Sequence, residues 1–288
     1  MILGAIEITS RVTRLSVLDI SGDTAMRLTG RSHGVRAELE NLERLTALLM
    51  AEVEYARDAG ADLIEVFACP EMRGTRLVRL LDRTSRAVGA GPVRIPADRD
   101  SVGAAFLAAT LPERNPGKQA IGVALVGEAM IGLGVGEPGT APGWVGTRPA
   151  GAVTMTERAR FSDPPRPNQI EAAITGASRR LESFGPPPMD RLLAVSDHST
   201  VIERLCGNRI THDDARRGLD SILGQTSDDL AAWFGIEPAS SRFLPGTIVG
   251  HAAIADAFGL PVEPVGCEIA AGRHWLESDR QAAGKGPS

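Results

Sequence analysis

Lysine is nearly absent from this 288-residue chain, in which only Lys118 and Lys285 occur and almost all cationic side chains are arginines. Aromatic residues make up only 4% of the sequence, and the net charge is −5, which argues against a broad nucleic-acid-binding surface. A GC-rich genome alone would produce this excess of arginine. A local arginine cluster would nevertheless favour anions, because guanidinium groups hold phosphate and carboxylate bidentately.

Cysteine is scarce as well. Cys69, Cys206 and Cys267 are far apart and show neither a CxxC pair nor a spacing typical of metal sites, which predicts free, buried thiols. No apolar run reaches the roughly 18–20 residues that a membrane span needs, and the N-terminus lacks the layout of a secretory signal. The expectation is a cytoplasmic protein with no membrane or nucleic-acid partner.

The remaining composition, 43% hydrophobic and 23% charged, is that of a globular chain, and its length favours two domains. Short alternating strands predict an antiparallel meander at the start. Apolar residues three and four positions apart predict a helix over residues 35–59, and strands and helices then alternate up to a helix over residues 98–109. This order predicts an α/β lobe with a mixed sheet over residues 1–113.

A second lobe with the same plan is predicted over residues 118–276, after a linker rich in Pro and Gly. It opens with a glycine-rich β-hairpin, whose glycines would admit backbone or ligand and whose N–H groups could hold a phosphate. A third strand is predicted near residues 152–154. Two such lobes would face each other across a cleft, and residues 277–288 are predicted to be a disordered tail.

Three segments carry a family resemblance. Residues 149–157 read PAGAVTMTE, residues 67–73 read FACPEMR, and residues 243–246 read FLPG. Their sequence and order resemble the Ppx/GppA family of exopolyphosphatases and guanosine pentaphosphate phosphatases, which have P-x-G-A-V-x-L-T-E, A-T-S-A-x-R and leucine–proline–small–glycine segments there. The likeness runs from Leu3 to about Leu276. It implies two actin-like, ribonuclease H-like lobes, as in the sugar kinases and heat-shock ATPases.

The phosphate loops of that family are changed here. Its D-I-G-T-N-S-x-R loop corresponds to Glu7–Arg14, EITSRVTR, and its D-I-G-G-G-S-T-E loop to Val123–Met130, VALVGEAM. Thr9 adds a Cβ where the family has glycine to bring backbone close to an anion. Val123 stands where the family's Asp would bind Mg²⁺, and a Val side chain cannot ligate a hard cation.

The family's catalytic Glu lies in S-G-x-E-E-A-R, which corresponds to residues 96–102, PADRDSV. The base position falls on Arg99 or Asp100, and only Asp100 could accept a proton. The family's L-R-E-G segment corresponds to residues 269–272, IAAG, without the arginine. The resemblance implies Arg73, Arg14 and Gly127 as candidate phosphate-binding residues, and Arg11 and Arg99, which depart from the family pattern, could join them in an anion pocket.

Two further polar groups could take part in acid–base or metal chemistry. One is Asp197 with His198, and the other is His212 with Asp213 and Asp214. Turns and helix starts are typical of the same residue types, so a structural role is the simpler interpretation of both groups.

A conserved scaffold beside altered phosphate loops predicts a non-catalytic or weakly active homologue that uses no cofactor. Its expected partner is a phosphorylated small molecule, such as polyphosphate or a guanosine polyphosphate, or a protein, including a second copy of the chain. The alternative is an active phosphoanhydride hydrolase that uses Mg²⁺. In that case Asp100 would be the base, and Arg73, Arg11 and Arg14 would hold phosphate.

Overall fold

The computed structural model describes residues 1–9, 12–22, 24–34, 42–113 and 120–284. Contacts divide the chain into two compact units, Met1–Ala97 and Asp98–Ser288. The first unit is therefore shorter than the predicted lobe 1–113. The reason is that the helix starting at Asp98 packs on the sheet of the second unit.

The first unit is built on a five-stranded mixed sheet with the strand order β3-β2-β1-β4-β5. The strands are β1 Ile2–Ile8, β2 Val12–Ser21, β3 Thr24–Gly34, β4 Leu63–Ala68 and β5 Val93–Arg94. The helices are α1 Leu42–Asp58 and α2 Arg76–Ala87. Apolar side chains of both helices pack on one face of the sheet. The first seven residues of the helix predicted over 35–59 lie outside the described residues.

The second unit repeats this plan, with the strand order β10-β9-β6-β7-β8. Its strands are β6 Ile121–Val126, β7 Ile131–Gly136, β8 Trp144–Arg148, β9 Arg191–Ser196 and β10 Val262–Val265. Its helices are α3 Asp98–Thr110, α4 Ala152–Arg158, α5 Pro167–Leu181, α6 Ser199–Cys206, α7 His212–Ile222, α8 Ser227–Phe234, α9 Pro238–Ser241, α10 Leu244–Phe258 and α11 Ile269–Gly284. The prediction of two α/β lobes, each with a mixed sheet, is confirmed.

Helices cover both faces of the second sheet. Successive residues of β6 point to opposite faces. Ala124 belongs to the cluster that includes α5 and α10, whereas Val123 belongs to the cluster that includes α3. Among the described residues, no helix combines the length and the apolar character needed to cross a bilayer.

The glycines of β7 make room for α3. A Cβ added at Gly132 would lie 2.1 Å from Val102 Cγ2, and one at Gly134 would lie 3.3 Å from Phe106 Cδ2. A glycine in a strand often marks a close approach by another part of the structure. Here the group that approaches is a helix of the same unit, so side chains of α3 fill the space that the sequence suggested for a ligand.

Two predicted elements are wrong. Residues 152–154 begin helix α4, and the third strand of the meander is β8 instead. The predicted disordered tail is helical up to Gly284, and residues 285–288 lie outside the described residues. Leu276 is buried against Leu107 and Leu111, which holds α11 on α3 up to the start of the predicted tail.

Candidate functional site

The first unit presents Arg73 at the edge where its parallel strands end. Ile8 and Ala68 pair at this edge, and the chain then passes through the 3-10 turn Pro70–Met72 to Arg73. Arg73 is exposed, and its Nη2 donates a long hydrogen bond of 3.4 Å to Pro96 O, just after β5. The carboxyl edge of an α/β sheet is a frequent ligand site, so Arg73 lies where an anion could be held.

Thr9 bonds to Val12 across the first predicted phosphate loop. The N–H of Thr9 donates to Val12 O at 2.9 Å, and the N–H of Val12 donates to Thr9 Oγ1 at 3.1 Å. The threonine that replaces the family's glycine therefore binds the backbone of its own turn. Arg11 lies outside the described residues, so its role stays a prediction.

Arg14 lies on β2 directly opposite Glu7 on β1. Opposite charges at paired positions on one face of a sheet attract each other. Glu7 is the residue that replaces the Asp of the family's first loop, so the arginine shared with the family has an acidic cross-strand neighbour here. Arg14 and Arg73 belong to the first unit, and Arg99, Asp100 and Gly127 belong to the second.

The second predicted phosphate loop is the turn that joins β6 to β7. The N–H of Gly127 donates to Met130 O at 3.0 Å, which closes the turn around Glu128 and Ala129. The amide of the one glycine that the loop shares with the family is thus engaged inside the hairpin.

The carbonyl groups of this turn face the N-terminus of α4. Three N–H groups donate to them: Gly151 to Ala129 O at 3.1 Å, Ala152 to Gly127 O at 2.9 Å, and Val153 to Glu128 O at 2.9 Å. The first N–H groups of a helix have no intrahelical partner, and they attract anions. Here the carbonyl groups of the hairpin turn are the acceptors, so this turn directs carbonyl oxygens toward α4 and caps the start of the helix.

Two glycines of the matching segments permit this packing. A Cβ at Gly151 would lie 2.3 Å from Glu128 O and 2.4 Å from Met130 N. On α10, a Cβ at Gly246 would lie 2.4 Å from Ala152 O. Helix α4 is therefore held between the hairpin and α10, and both glycines are needed for backbone contact.

Val123 is fully buried within an apolar cluster. Its neighbours in this cluster are Val102, Ala105, Phe106, Ala109, Ile121, Leu125, Leu193 and Val195. Mg²⁺ requires oxygen ligands, which these residues do not offer, so this position does not fit the ion. Within the described part of the chain, no three His, Cys, Asp or Glu side chains form a possible metal-binding group.

Asp100 lies in the first turn of α3 with Asp98 and Arg99. Asp98 and Arg99 are exposed, Asp100 is half-buried, and the continuously buried part of the helix begins at Ser101. Acidic residues stabilise a helix start through the helix dipole, which accounts for both aspartates. A role for Asp100 as a base stays a prediction.

His198, which the sequence analysis named with Asp197, joins Thr247 and His251 in a buried polar cluster that sequence reasoning did not predict. His198 Nδ1 lies 3.3 Å from Thr247 Oγ1, and His251 Nδ1 donates to Thr247 O at 2.9 Å. His251 is fully buried, and its Nε2 has no hydrogen-bond partner among the described residues. Burial, with a smaller contribution from nearby His198, lowers the pKa of His251 to about 4, although the hydrogen bond to Thr247 O acts in the opposite direction. The only signal in the sequence was a histidine within an otherwise apolar helix.

The low pKa of His251 predicts a loss of stability in acid. The unfolded chain binds a proton there near pH 6.5, whereas the folded chain binds it near pH 4. The free energy of unfolding should fall by about 3 kcal/mol as the pH drops through this window and should level off below it. Urea unfolding of the wild type and of His251→Met across the window measures this loss, and equal pH slopes would contradict it.

The group at His212 starts a helix, as its simpler interpretation predicted. The N–H of Asp214 donates to Thr211 Oγ1 at 3.2 Å, and the N–H of Thr211 donates to Asp214 Oδ2 at 2.9 Å, which is a capping box. Hydrogen bonds from Thr211 lower the pKa of Asp214. Burial raises the pKa of the nearby Cys206 thiol to about 12, and this free cysteine is buried as predicted, whereas Cys69 and Cys267 are free but only half-buried.

No family model matches the sequence, and no curated protein sequence does either. Solved structures do match over nearly the whole chain. An Aquifex aeolicus member of the Ppx/GppA family is 16% identical, with 98% of each chain covered and a TM-score of 0.76. An exopolyphosphatase-like protein is 18% identical with the same coverage and a TM-score of 0.77. An exopolyphosphatase from Cytophaga hutchinsonii is 12% identical, with 97% of this chain and 98% of its own covered and a TM-score of 0.75.

These similarities show a fold of two α/β units, each built on a five-stranded mixed sheet. It is the fold of the Ppx/GppA proteins, which confirms the fold that the resemblance implied. At identities below one fifth, the match concerns the fold alone.

Proposed function

We propose that this chain is a Ppx/GppA-like protein with a degenerate phosphate site, which binds a phosphorylated ligand or a protein partner with little or no catalysis. The observation that carries the proposal is the closed hairpin turn at Gly127–Met130, whose carbonyl oxygens face the N-terminus of α4. A carbonyl oxygen repels a phosphate, whereas an N–H group attracts it.

The chemistry of phosphoanhydride hydrolysis supports the same proposal. The reaction needs a positioned water, a base, and cations or N–H donors for the charge that develops on phosphate. Val123 offers no metal ligand, and the N–H groups of Gly127 and Thr9 donate within their own turns. None of these three groups therefore offers the metal ligand or the available N–H donor that the reaction needs.

Arginines in the first unit support retained anion binding. Arg73 is exposed at the carboxyl edge of the sheet, where its guanidinium can form paired hydrogen bonds with a phosphate. Arg14 lies on the same sheet. Because one matching structure is an exopolyphosphatase and another is exopolyphosphatase-like, polyphosphate is the first ligand to test, followed by a guanosine polyphosphate.

Phosphate release from long-chain polyphosphate or guanosine pentaphosphate, with Mg²⁺ present, should not exceed the protein-free blank. Polyphosphate should nevertheless raise the melting temperature. Arg73→Ala should weaken its binding by about tenfold, because a charged hydrogen bond contributes roughly 1.5–3 kcal/mol. Arg179→Ala, at an exposed position of α5, is the matched control and should leave binding unchanged.

The rival function is an active hydrolase with Asp100 as its base. Release above the blank that is abolished by Asp100→Ala and kept by Asp98→Ala would establish that enzyme and contradict the proposal. If there is neither release nor a thermal shift, phosphate chemistry is excluded altogether. Binding of a protein partner is then the part of the proposal that remains, and light scattering tests whether that partner is a second copy of the chain.

A further inference from the structure

Helix α2 carries an arginine face that none of the preceding sites uses. Arg76, Arg79, Arg83 and Arg86 are all exposed, and steps of three and four residues place them on one side of the helix. They span about 15 Å along its axis, at 1.5 Å per residue. In a chain of net charge −5, this is a concentrated positive surface.

The opposite side of α2 fixes the helix to its unit. Leu81 and Ser85 are buried, and the Ser85 hydroxyl donates to Gly91 O. At the N-terminus, Thr75 Oγ1 accepts from the N–H of Val78. The arginines therefore project from an ordered helix. Its apolar side is already covered, so the helix cannot lie in a membrane interface by burying that side.

Little within the described residues neutralises these charges. Asp82 is the only acidic residue of α2, and it accepts from Arg86 Nε at 3.0 Å and from the N–H of Val93 at 2.9 Å. These bonds lower the pKa of Asp82, chiefly through Arg86. The Asp82 carboxylate is therefore already hydrogen-bonded to Arg86 and to β5. The structure shows no ion pair between any described residue and Arg76, Arg79 or Arg83.

The spacing of the arginines distinguishes between possible partners. Arg76 and Arg83 are seven residues apart, as are Arg79 and Arg86, and Leu80 and Ala87 form a third such pair beside them. Seven residues is the interval at which a second helix lying alongside meets equivalent positions. A phosphate polymer needs no such register. A single-stranded nucleic acid would call for aromatic side chains, which α2 lacks.

We infer that the arginine face of α2 binds an acidic helix of a partner protein, whose carboxylates recur every seven residues. Each carboxylate can accept paired hydrogen bonds from a guanidinium, and Leu80 and Ala87 supply a short apolar contact. Arginine is enriched in protein interfaces, and its charge does not depend on physiological pH. This interaction is independent of any phosphate site.

The test uses the full chain and a labelled, three-heptad helical peptide with two glutamates per heptad, three residues apart, followed by fluorescence anisotropy. Arg76→Glu/Arg79→Glu/Arg83→Glu should weaken binding by about tenfold or more, since three exposed ion pairs become repulsive. The corresponding triple lysine variant should bind more weakly than the wild type but more tightly than the triple glutamate variant, because it keeps the charge and loses the paired hydrogen bonds of the guanidinium groups. Circular dichroism checks that each variant is folded.

Matched controls decide whether register matters. Arg179→Glu/Arg209→Glu/Arg242→Glu changes the net charge equally, through exposed arginines elsewhere, and should leave binding within about twofold. A peptide of the same composition with scrambled glutamate positions should bind about tenfold more weakly. Equal binding of that peptide, an equal loss in the control triple, or tighter binding of polyphosphate or duplex DNA through the same arginines would overturn the inference.

Discussion

Gly272→Ala should lower the free energy of unfolding of the second unit by about 3–5 kcal/mol, or prevent folding. A Cβ at Gly272 on α11 would lie 1.9 Å from Ala104 O and 2.8 Å from Ala104 C on α3. Both are backbone atoms, so no side-chain rotation can relieve the clash. The two helices would have to separate, which would open the buried contact between Gly103 and Leu276 at the same crossing.

Urea unfolding measures this loss, and Gly176→Ala is the matched control. Gly176 lies within α5, and its new Cβ would meet only Arg180 Nη1, at 3.3 Å, the mobile end of a long side chain. Alanine is favoured over glycine inside a helix by about 1 kcal/mol, so this variant should be neutral or more stable than the wild type. Equal midpoints for the two variants would show that α3 and α11 do not cross this closely.

Gly151→Ala should cost about 2–4 kcal/mol and should separate the hairpin turn from α4. The added Cβ would lie 2.3 Å from Glu128 O, 2.4 Å from Met130 N and 2.5 Å from Ala129 C. Relief requires backbone movement, which would break the bonds from Ala152 and Val153 to the hairpin. The substitution should therefore both lower the stability of the fold and disrupt the structure around the predicted phosphate loop.

Hydrogen exchange at the first amides of α4 reports this separation directly. Those amides should exchange at least about tenfold faster in Gly151→Ala, because each 1.4 kcal/mol of lost protection is a factor of ten. Gly143→Ala, whose Cβ would meet nothing nearer than Val135 O at 4.0 Å, should leave them unchanged. Unaltered protection in Gly151→Ala would mean that the hairpin carbonyls do not cap α4.

Local pattern sufficed for the strands and helices, because each repeats its apolar residues at its own period. It failed at residues 152–154, where Val153 and Thr154 favour a strand. That choice is overridden by the hairpin carbonyls, which lie more than twenty positions earlier and provide acceptors for a helix start. No property of the segment itself contains that information.

The sequence predicted some features of the candidate site and not others. The replacement of the family's Asp by Val123 was visible in the sequence, and the structure places that side chain in an apolar cluster. The engagement of Gly127 and the burial of His251 depend on contacts between distant segments, so one sequence does not reveal them. The sequence of α3 did indicate a helix covered on all sides, because residues 101–110 are almost all small or apolar. The structure buries every residue from Ser101 to Thr110.

The packing of α3 determines where this protein can be divided. The composition of residues 111–117 suggests a natural junction, yet a cut there would leave α3 with the wrong fragment. Val123 and the glycines of β7 would then lose their cover, and Val102 and Phe106 would be exposed. A chimaera that exchanges one whole unit between relatives must therefore have its junction before Asp98, so that α3 stays with the sheet it covers.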